Sequence, residues 1–424
     1  MELKDYRPRI IDAKISSLLN SFGAVCIEGP KWCGKTWTAI HHSRSQLFLG
    51  DPTGGFQNRR LAEINPDLVL SGEYPHLVDE WQEVPSIWDA VRFKVDMLAQ
   101  KGLFILTGSA TPNHKGVLHS GTGRIARIGM SPMSLYESGD SSGSVSIIDL
   151  FNGTQPDVFT GNVDVRHLIN LTVRGGWPAA IGVADELAGE LPKSYIEAVI
   201  QDDVYRIDGV KRDLRKMNLL LRSLARNEST TATQTKLKDD IKEVDNQDID
   251  LNTIAEYLNI FRRLFIIENQ PPFSPNIRSS VRVKQAEKRH FADPSLACAV
   301  LGASSTMLIN DLQTYGFIFE ALCERDLKIY VQAHGGQLFH YQDYHNFEID
   351  AIVQLPDGRW GAFEIKLGMN QVDKAAENLL HFRETITRKQ GTAPTVLCVI
   401  TGMSNAAYKR PDGIYVVPIT ALKH

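Results

Sequence analysis

The chain has 424 residues, 43% of them hydrophobic and 23% charged, with a formal net charge of −4 and a pI near 6.3. This length exceeds one ordinary hydrophobic core, so two or three domains are expected. The near-neutral charge excludes a wholly basic nucleic-acid coat protein and leaves room for local basic patches.

Several other classes are disfavoured by simple patterns. No apolar run approaches the roughly 18–20 residues that span a bilayer. The first fifteen residues contain acidic side chains and lack a signal-peptide core. The five cysteines are scattered without a C-x-x-C pair, so neither a disulfide framework nor a zinc site is indicated. We therefore expect a cytoplasmic protein with no membrane partner.

The first strong signal follows an amphipathic helix that the apolar spacing predicts within residues 1–22. Residues 24–36 read AVCIEGPKWCGKT, a buried strand followed by G-x-x-x-x-G-K-[ST] and an apolar helix. Glycines without side chains let backbone N–H groups approach a phosphate, so the pattern predicts an ATP site. Lys35 is expected to reach the β- and γ-phosphates, and the Thr36 hydroxyl to bind Mg²⁺. The predicted nucleotide-contacting residues are Gly29, Pro30, Lys31, Trp32, Cys33, Gly34, Lys35, Thr36 and Trp37.

A second signal completes the ATPase pattern. After a predicted strand at 46–51 and a polar helix at 54–64, the apolar run at 76–78 ends in Asp79 and Glu80. The first acid is expected to hold Mg²⁺ through its water shell, and the second to polarise the attacking water. A surface strand end capped by acids is the alternative for this segment alone.

Two more candidates for the ATP site follow further along the chain. Residues 103–109 form a buried strand that ends in Thr-Gly-Ser, where Thr107 or Ser109 can sense the γ-phosphate. Arg124 or Arg127 is the candidate for stabilising charge on the transferred phosphate, within one subunit or across to a neighbour. A plain turn hydroxyl and a solvated arginine are the alternatives.

Gly-, Ser- and Pro-rich stretches at 138–143 and 151–161 place the end of the ATPase core near residue 160. RGGWP at 174–178 predicts a turn, and helices are expected at 191–205, 211–226 and 250–267. The helix at 211–226 carries a basic face made of Lys211, Arg212, Arg215, Lys216, Arg222 and Arg226. Together with the extended basic segment at 271–288, these helices suggest a winged helix-turn-helix that binds DNA or, alternatively, docks a protein.

The last third contains a second chemical pattern. Strands at 346–353 and 360–366 flank a Pro-Asp-Gly turn, which predicts a hairpin. Glu364 and Lys366 share one face, and Asp350 can lie across from them, so the spacing fits a D…E-x-K metal-dependent hydrolase. Glu320, on a helix predicted at 317–327, can add a ligand. A surface hairpin with an ordinary cross-strand salt bridge is the alternative. A helix at 371–388 and strands at 396–401 and 415–419 complete this part.

Taken together, the motifs resemble a bacterial and archaeal family of AAA-type P-loop ATPases joined to a C-terminal domain of poorly defined function. The matching segments cover nearly the whole chain: GPKWCGKT at 29–36, HLVDEWQEVPSIWDAVRFKVD at 76–96, FILTGSA at 104–110, GRIARIGMSPMSLYE at 123–137, RGGWP at 174–178, HFADPSLA at 290–297, FEIDAIV at 347–353 and AFEIKLG at 362–368. Trp81 departs from the pattern, because an aliphatic residue is expected after the two acids.

The resemblance implies an α/β chain of three parts: an AAA-type P-loop ATPase domain with a parallel sheet (1–160), a mostly helical winged-helix domain (161–300) and a restriction-endonuclease-like α/β domain (301–424). It implies ATP and Mg²⁺ bound by Lys35, Thr36 and Asp79, with Glu80 as hydrolytic base. Asp350, Glu364 and Lys366 would be the metal and catalytic positions of the nuclease-like domain.

Two functions are compatible with these expectations. The first is an Mg-dependent ATPase coupled to a DNA-associated nuclease-like module. The second is a nucleotide-controlled switch that binds DNA or a protein, with an inactive nuclease-like domain. A homo-oligomer is compatible with either.

Overall fold

The computed structural model describes residues 6–110, 117–245, 249–276, 286–388 and 391–424. Within these ranges, no helix has both the length and the apolar character needed to span a membrane. The largest apolar cluster extends from Ile15 to Leu422 and takes in side chains from every part of the chain. The ATPase core, the helical middle and the C-terminal sheet are therefore packed against one another.

The first sheet is entirely parallel. Its strands are β1 (Ala24–Glu28), β2 (Ser45–Phe48), β3 (His76–Asp79), β4 (Phe104–Gly108) and β5 (Ile125–Gly129), and its helices are α1 (Asp12–Ser21), α2 (Lys35–His42), α3 (Thr53–Ile64), α4 (Pro66–Val69) and α5 (Ser86–Leu98). The strand order is β2-β3-β4-β1-β5. The central strands are buried almost throughout, which explains their unbroken apolar runs. The predicted P-loop sheet is confirmed.

Residues 135–159 leave this sheet and join the far end of the chain. They form α6 (Leu135–Ser138), β6 (Val145–Ser146), α7 (Ile147–Phe151) and β7 (Val158–Phe159). β6 pairs with β14 (Leu422–Lys423), and β7 pairs with β12 (Ala406–Lys409). Since these partners lie in the C-terminal part, we propose that the ATPase core ends near residue 139 rather than 160.

The middle of the chain is helical. Its helices are α8 (Val165–Arg174), α9 (Glu190–Ala198), α10 (Val204–Arg206), α11 (Leu214–Arg226), α12 (Gln234–Asp245) and α13 (Leu251–Arg263), with a π-helical stretch at Val199–Asp203 between α9 and α10. Asp164, Asp213 and Asp250 cap α8, α11 and α13 by accepting a backbone N–H from the first turn. The predicted helices at 211–226 and 250–267 are thus confirmed, and both are slightly shorter in the structure. The predicted helix at 191–205 is divided in two by the π-helical stretch.

The structure describes only part of the segment for which a winged helix is predicted. Two antiparallel bridges, Ile267 with Phe291 and Gln270 with Lys288, follow the three helices α11–α13. The intervening residues 277–285, which include most of the predicted basic hairpin, lie outside the described residues. The winged helix therefore stays a prediction.

One member of the predicted basic face is not solvated. The Arg212 side chain is 7% exposed and binds Asp208 and Glu256. Arg226 bonds to Asp240 of α12. Arg212 therefore does not contribute an open positive charge to the predicted basic face, because acidic side chains on the preceding loop and on α13 neutralise it.

The C-terminal part is a mixed sheet between helices. It contains α14 (Pro294–Leu301), α15 (Ser305–Asn310), α16 (Leu312–Ala333), β8 (Gln337–Gln342), β9 (Glu348–Gln354), β10 (Trp360–Lys366), α17 (Val372–Arg388), β11 (Val396–Thr401) and β13 (Tyr415–Pro418). The strand order is β7-β12-β13-β11-β10-β9-β8. One face packs on α17 and the other on α16. The predicted hairpin of β9 and β10 is confirmed.

Candidate nucleotide site and C-terminal carboxylate–lysine cluster

The phosphate-binding loop lies at the carboxyl edge of the first sheet, between β1 and α2. At Gly29 a Cβ atom would lie 2.1 Å from the backbone oxygen of Met130, so only glycine fits there. Gly34 has φ +103°, a conformation that favours glycine, and directly precedes α2. The loop thus has the narrow backbone turn that a phosphate cradle requires.

Lys35 is the central charge of this loop. Its side chain is buried, and its ammonium donates to the carbonyl oxygens of Gly29 (3.0 Å) and Pro30 (2.8 Å). The cation therefore lies inside the turn formed by the loop, beside the amino end of α2. Backbone N–H groups and an enclosed ammonium together suit a polyphosphate.

The side chains at the tip of the loop point to other elements. Lys31 forms an ion pair with Asp203 in the π-helical stretch, with 2.6 Å between Nζ and Oδ1. The Trp32 ring meets Tyr195 edge-on at 5.7 Å, and the carbonyl of Cys33 accepts a hydrogen bond from Arg9. The side chains of Lys31 and Trp32 thus fix the loop to the π-helical stretch and to α9, and the Cys33 carbonyl fixes it to the N-terminal segment. Nucleotide contacts of these three residues would therefore be made by their backbone N–H groups. Trp37 lies half-buried on α2.

Three oxygen-bearing side chains meet beside the loop. The Thr36 hydroxyl donates to Asp79 Oδ1 at 2.9 Å, and the Thr107 hydroxyl donates to the same oxygen at 2.6 Å. Burial raises the pKa of the Asp79 carboxyl, and the nearby charge of Glu80 adds to this, while the two threonines oppose it. A hydroxyl and a carboxylate are the hard donors that Mg²⁺ prefers, so these residues fit the cation that accompanies ATP.

The second acid is held separately. Glu80 has φ +57°, and its backbone N–H donates to the Thr107 hydroxyl at 3.0 Å. Its carboxylate accepts a hydrogen bond from Ser109 at 2.8 Å and another from Gln82. The sequence did not decide between Thr107 and Ser109 as the residue beside the phosphate. In the structure, the Thr107 hydroxyl bonds to the Asp79 carboxylate, and the Ser109 hydroxyl bonds to the Glu80 carboxylate. The carboxylates of Asp79 and Glu80 therefore have different hydrogen-bond partners, which suits the two different roles predicted for them.

Arg124 is not placed to serve its own subunit's loop. It precedes β5, and its carbonyl accepts from Ala24 at the amino edge of the sheet. The five-residue length of β5 separates this edge from the loop by about 16 Å. The expectation that Arg124 acts within one subunit is wrong; its side chain is 47% exposed and pairs with Asp96. Arg127 bonds to Glu28 and lies over the Trp88 ring.

A cleft of about 730 Å³ opens beside Ser109 and Lys31. Arg206 of α10 and Arg59 of α3 line it, together with Gln82. Arg59 is neutralised by Glu83 at 2.8 Å, while Arg206 is exposed. Arg206 was not predicted from the sequence. Nothing in its local pattern shows that α10 lines the same cleft as Lys31, which is more than a hundred residues earlier in the chain.

The predicted C-terminal residues do come together. Lys366 Nζ lies 3.0 Å from Asp350 Oδ2 and 2.7 Å from Glu364 Oε2, so one ammonium joins both acids. The backbone N–H of Ile365 also donates to Asp350. Burial raises the pKa of Glu364 to about 8, and the charge of Asp350 adds to this. Burial also disfavours ionised Asp350, but Lys366 and Lys288 outweigh it and lower its pKa.

Glu320 reaches this region through a residue that the sequence did not single out. Lys288 Nζ lies 2.5 Å from Glu320 Oε1, 3.0 Å from Glu324 Oε1 and 3.0 Å from the carbonyl oxygen of Asp350. Burial raises the pKa of Glu320 to about 8. We call Asp350, Glu364, Lys366, Lys288, Glu320 and Glu324 the carboxylate–lysine cluster. Lys288 was missed because it ends a segment interpreted only as a basic hairpin.

A buried histidine extends the cluster toward the helical middle. His290 lies 3.0 Å from Glu324 and 3.0 Å from Glu228. Burial disfavours its charged form, but the two glutamates outweigh that and raise the pKa of His290 to about 9. The helical middle of the chain and α16 are thus joined by buried ionisable side chains.

Comparisons with known families agree with this arrangement. A family described as "AAA domain" matches residues 21–139. Two families described as domains of unknown function, DUF8612 and DUF4143, match residues 165–307 and 315–422. The match to the AAA domain and the match to a C-terminal domain of undefined function agree with the resemblance that the motifs predicted. Along the chain, the AAA domain precedes the two segments of unknown function.

Similar proteins occur in mycobacteria and among solved structures. Uncharacterized proteins of Mycobacterium bovis and Mycobacterium tuberculosis are each 23% identical over 358 residues, covering 84% of this chain and 72% of the relative. A Walker-type ATPase of Pyrococcus abyssi matches with a TM-score of 0.42 at 13% identity, over 70% of this chain and 99% of the other. The replication initiator DnaA, bound to AMPPCP and single-stranded DNA, matches with a TM-score of 0.27 at 12% identity, over 61% and 91%. Since both scores are low, the fold assignment rests on the sheet order and the loop.

Proposed function

We propose that this AAA-type ATPase binds ATP with Mg²⁺ and hydrolyses it at the carboxyl edge of the first sheet. Lys35 and the backbone of residues 29–34 would hold the phosphates, and Thr36 and Asp79 would hold the cation. The cation, when bound, supplies charge neutralisation and polarises the γ-phosphoryl group. The observation that carries the proposal is the hydrogen-bonded chain from Thr36 through Asp79 and Thr107 to Glu80, which joins the loop to β3 and β4.

Each residue then has a defined part in hydrolysis. Glu80 accepts a proton from the water that attacks the γ-phosphorus, and the bond between that phosphorus and the β–γ bridging oxygen breaks to release ADP. Ser109 and Gln82 keep the Glu80 carboxylate in place through their hydrogen bonds. Because Glu80 and Asp79 have different hydrogen-bond partners, the base would not compete for the cation.

The Glu80→Gln substitution tests this role. We expect ATP affinity to stay within about twofold of wild type while turnover falls by at least about 100-fold, since a general base contributes that much. Steady-state turnover and nucleotide binding, measured on the same preparations, separate the two effects. Glu63→Gln, an exposed glutamate on α3, is the matched control and should behave as wild type. Turnover unchanged in Glu80→Gln would reject the assignment.

For the C-terminal part, we propose a restriction-endonuclease-like, DNA-associated module in which Asp350, Glu364 and Glu320 bind a divalent metal and Lys366 stabilises phosphate charge. The convergence of Asp350, Glu364 and Lys366 at one end of the β9–β10 hairpin supports this. We further propose that the helices α11–α13 act as a winged helix that contacts the DNA.

The Asp350→Asn substitution tests the nuclease proposal. Labelled single- and double-stranded DNA, incubated with Mg²⁺ or Mn²⁺ and ATP, should be cut by wild type and at least about 100-fold more slowly by the variant, because a metal ligand is lost. Asp357→Asn, which changes an exposed acid in the hairpin turn, should keep wild-type cleavage. Equal cleavage by Asp350→Asn would assign the activity elsewhere.

The second candidate function is a nucleotide-controlled switch with an inactive nuclease-like domain. The observation that favours it is that two ammonium groups, from Lys288 and Lys366, already neutralise the carboxylates that a metal would need. Here ATP would change the affinity for DNA or for a protein partner without any cleavage. Absence of cleavage on every substrate, with DNA affinity that differs between ATP and ADP, would select this function.

We also propose that the protein works in the cytoplasm and that Arg124 serves a neighbouring subunit of a homo-oligomer. Its exposed position on the edge opposite its own loop makes it available to a second copy. Mixing Lys35→Ala subunits with Arg124→Ala subunits should then restore turnover that neither has alone. No restoration, with turnover per molecule independent of protein concentration, would reject a shared site.

A further inference from the structure

A group of metal-ligand side chains lies away from both sites described above. Asp12 opens α1, and His41 and His42 close α2, the helix that begins at Lys35. Among the described residues, this trio is the one set of three acidic, histidine or cysteine side chains whose ligand atoms all lie within 4.8 Å of one another. It is not part of the ATP site, which is at the other end of α2.

The carboxylate of this trio is held in a fixed orientation. The backbone N–H of Arg9 donates to Asp12 Oδ2 at 2.8 Å, and the Tyr6 hydroxyl donates to Oδ1 at 2.8 Å. His42 Nε2 lies 3.0 Å from the same Oδ1. The Tyr6 ring stacks on His41 at 4.4 Å between ring centroids. Arg9 and Tyr6 of the N-terminal segment thus both orient Asp12, and Tyr6 also supports the ring of His41; metal ligands commonly have such supporting contacts.

We propose that Asp12, His41 and His42 form a binding site for Zn²⁺ or a similar first-row transition ion, with water completing the coordination. In tetrahedral zinc sites, ligand bonds of about 2.0–2.1 Å separate neighbouring N and O ligands by about 3.3 Å. The 3.0 Å between Asp12 and His42 needs to open only slightly. Two imidazoles and one carboxylate favour zinc over Mg²⁺ or Ca²⁺, which prefer oxygen ligands.

The trio is accessible to a metal ion from solution. The side chains of His42 and Asp12 are 10% and 18% exposed, and His41 lies on the surface. The bound ion would link the amino end of α1 to the carboxyl end of α2. The simpler alternative is an ion pair between Asp12 and His42, which the dipoles of the two helices both favour. That ion pair makes no use of His41, so His41 distinguishes the two.

Titration with ZnCl₂, followed by calorimetry, tests the site in the full chain without a histidine tag and in excess MgCl₂. Wild type should bind one zinc ion with a Kd of about 10 μM or lower. His41→Ala, which leaves the Asp12–His42 pair intact, should weaken binding at least tenfold, and Asp12→Asn should do the same. Melting curves without metal, equal for His41→Ala and wild type, show that the loss is not caused by unfolding.

A matched control comes from a second histidine–aspartate pair. His119 and Asp89 lie 2.8 Å apart on the surface, and no third ligand completes a trio there among the residues that the structure describes. His119→Ala should therefore keep wild-type zinc affinity. The proposal is overturned if wild type binds no zinc below about 100 μM, if His41→Ala binds as tightly as wild type, or if His119→Ala loses as much affinity. Co²⁺ offers a second readout: the visible absorption of the substituted protein should disappear in His41→Ala.

Discussion

At the scale of single residues, Thr107 connects the two acids of the nucleotide site. Its hydroxyl donates to Asp79 and accepts from the backbone N–H of Glu80. One buried side chain therefore holds both Asp79, the proposed cation ligand, and Glu80, the proposed general base. Its own strand, β4, is buried along its whole length, so the hydroxyl has little freedom to reorient.

Replacing Thr107 with valine keeps the shape and removes both hydrogen bonds. We expect ATP turnover to fall about tenfold and the Mg²⁺ concentration for half-maximal turnover to rise, because losing a hydrogen bond to a charged group costs about 1.5–3 kcal/mol. Turnover measured as a function of MgCl₂ gives both values.

The control is Thr154→Val, which makes the same change at an exposed position. It should leave both values unchanged. A Thr107→Val protein with the Mg²⁺ dependence of wild type would show that Asp79 needs no support from β4.

At the scale of elements, α16 and the segment that ends at Lys288 form one charged unit. Glu320 and Glu324 lie one turn apart on α16, and both accept from Lys288. The chain before α14 thus inserts an ammonium between α16 and β9. At the proposed metal site, Lys288 would compete with a metal ion for these carboxylates.

We expect Lys288→Ala to convert the carboxylate–lysine cluster into a stronger cation site. Without the ammonium, the buried carboxylates lose their counter-charge, and the protein should melt at a lower temperature. Added MnCl₂ should then raise the melting temperature of the variant by several degrees more than that of wild type, because the metal replaces the missing charge.

Lys328→Ala is the matched control, because Lys328 also lies on α16 but pairs with Glu268 near the surface. Its melting temperature should respond to MnCl₂ as wild type does. A Lys288→Ala protein that Mn²⁺ does not stabilise would mean that the cluster is a structural ion network and not a metal site.

At the scale of the whole molecule, buried ionisable groups make stability depend on pH. The pKa values of Glu320 and Glu364 are about 8 in the folded chain, above the ordinary 4.5, and that of His290 is about 9, above 6.5. Between the ordinary and the folded values, the folded chain holds more protons than the unfolded chain. The stabilising contribution of these groups is therefore present at low pH and is lost as the pH rises through 8 and 9.

We expect the free energy of unfolding to fall between pH 5 and pH 9. Asp350 and Glu324, whose pKa values are lowered, contribute fully throughout this range. Burial lowers the pKa of His340 to about 4, so this histidine opposes the trend, but only below its ordinary pKa of 6.5. Urea unfolding at several pH values measures the slope. In Glu364→Gln the decline between pH 5 and pH 8 should be shallower, because one titrating group is gone.

Glu377→Gln, at an exposed position on α17, should keep the wild-type slope. An increase in stability toward pH 9 would instead mean that the pKa values of Glu320, Glu364 and His290 are not raised in the folded chain.

The local parts of both sites were predictable because each lies on one continuous motif. The loop at 29–36, the acids after β3 and the D…E-x-K hairpin depend on spacing along the chain, and the structure brings each set together. The choice between Arg124 acting within its own subunit and acting on a neighbour could not be made, because a sequence does not tell which edge of a sheet a residue will occupy. Lys288 and Arg206 were missed because their partners lie on elements far away in sequence. The winged helix and the catalytic roles stay predictions.

The strand pairs that join residues 145–159 to the C-terminal sheet impose an order on folding during synthesis. The first sheet has all five strands once residue 129 has left the ribosome. β6 and β7 must wait for residues 422–423 and 406–407 before they find partners. Until then Ile147 and Phe151, both buried in the final structure, remain exposed on the nascent chain. This short segment therefore reaches its final packing only after residues 406–423 have been made.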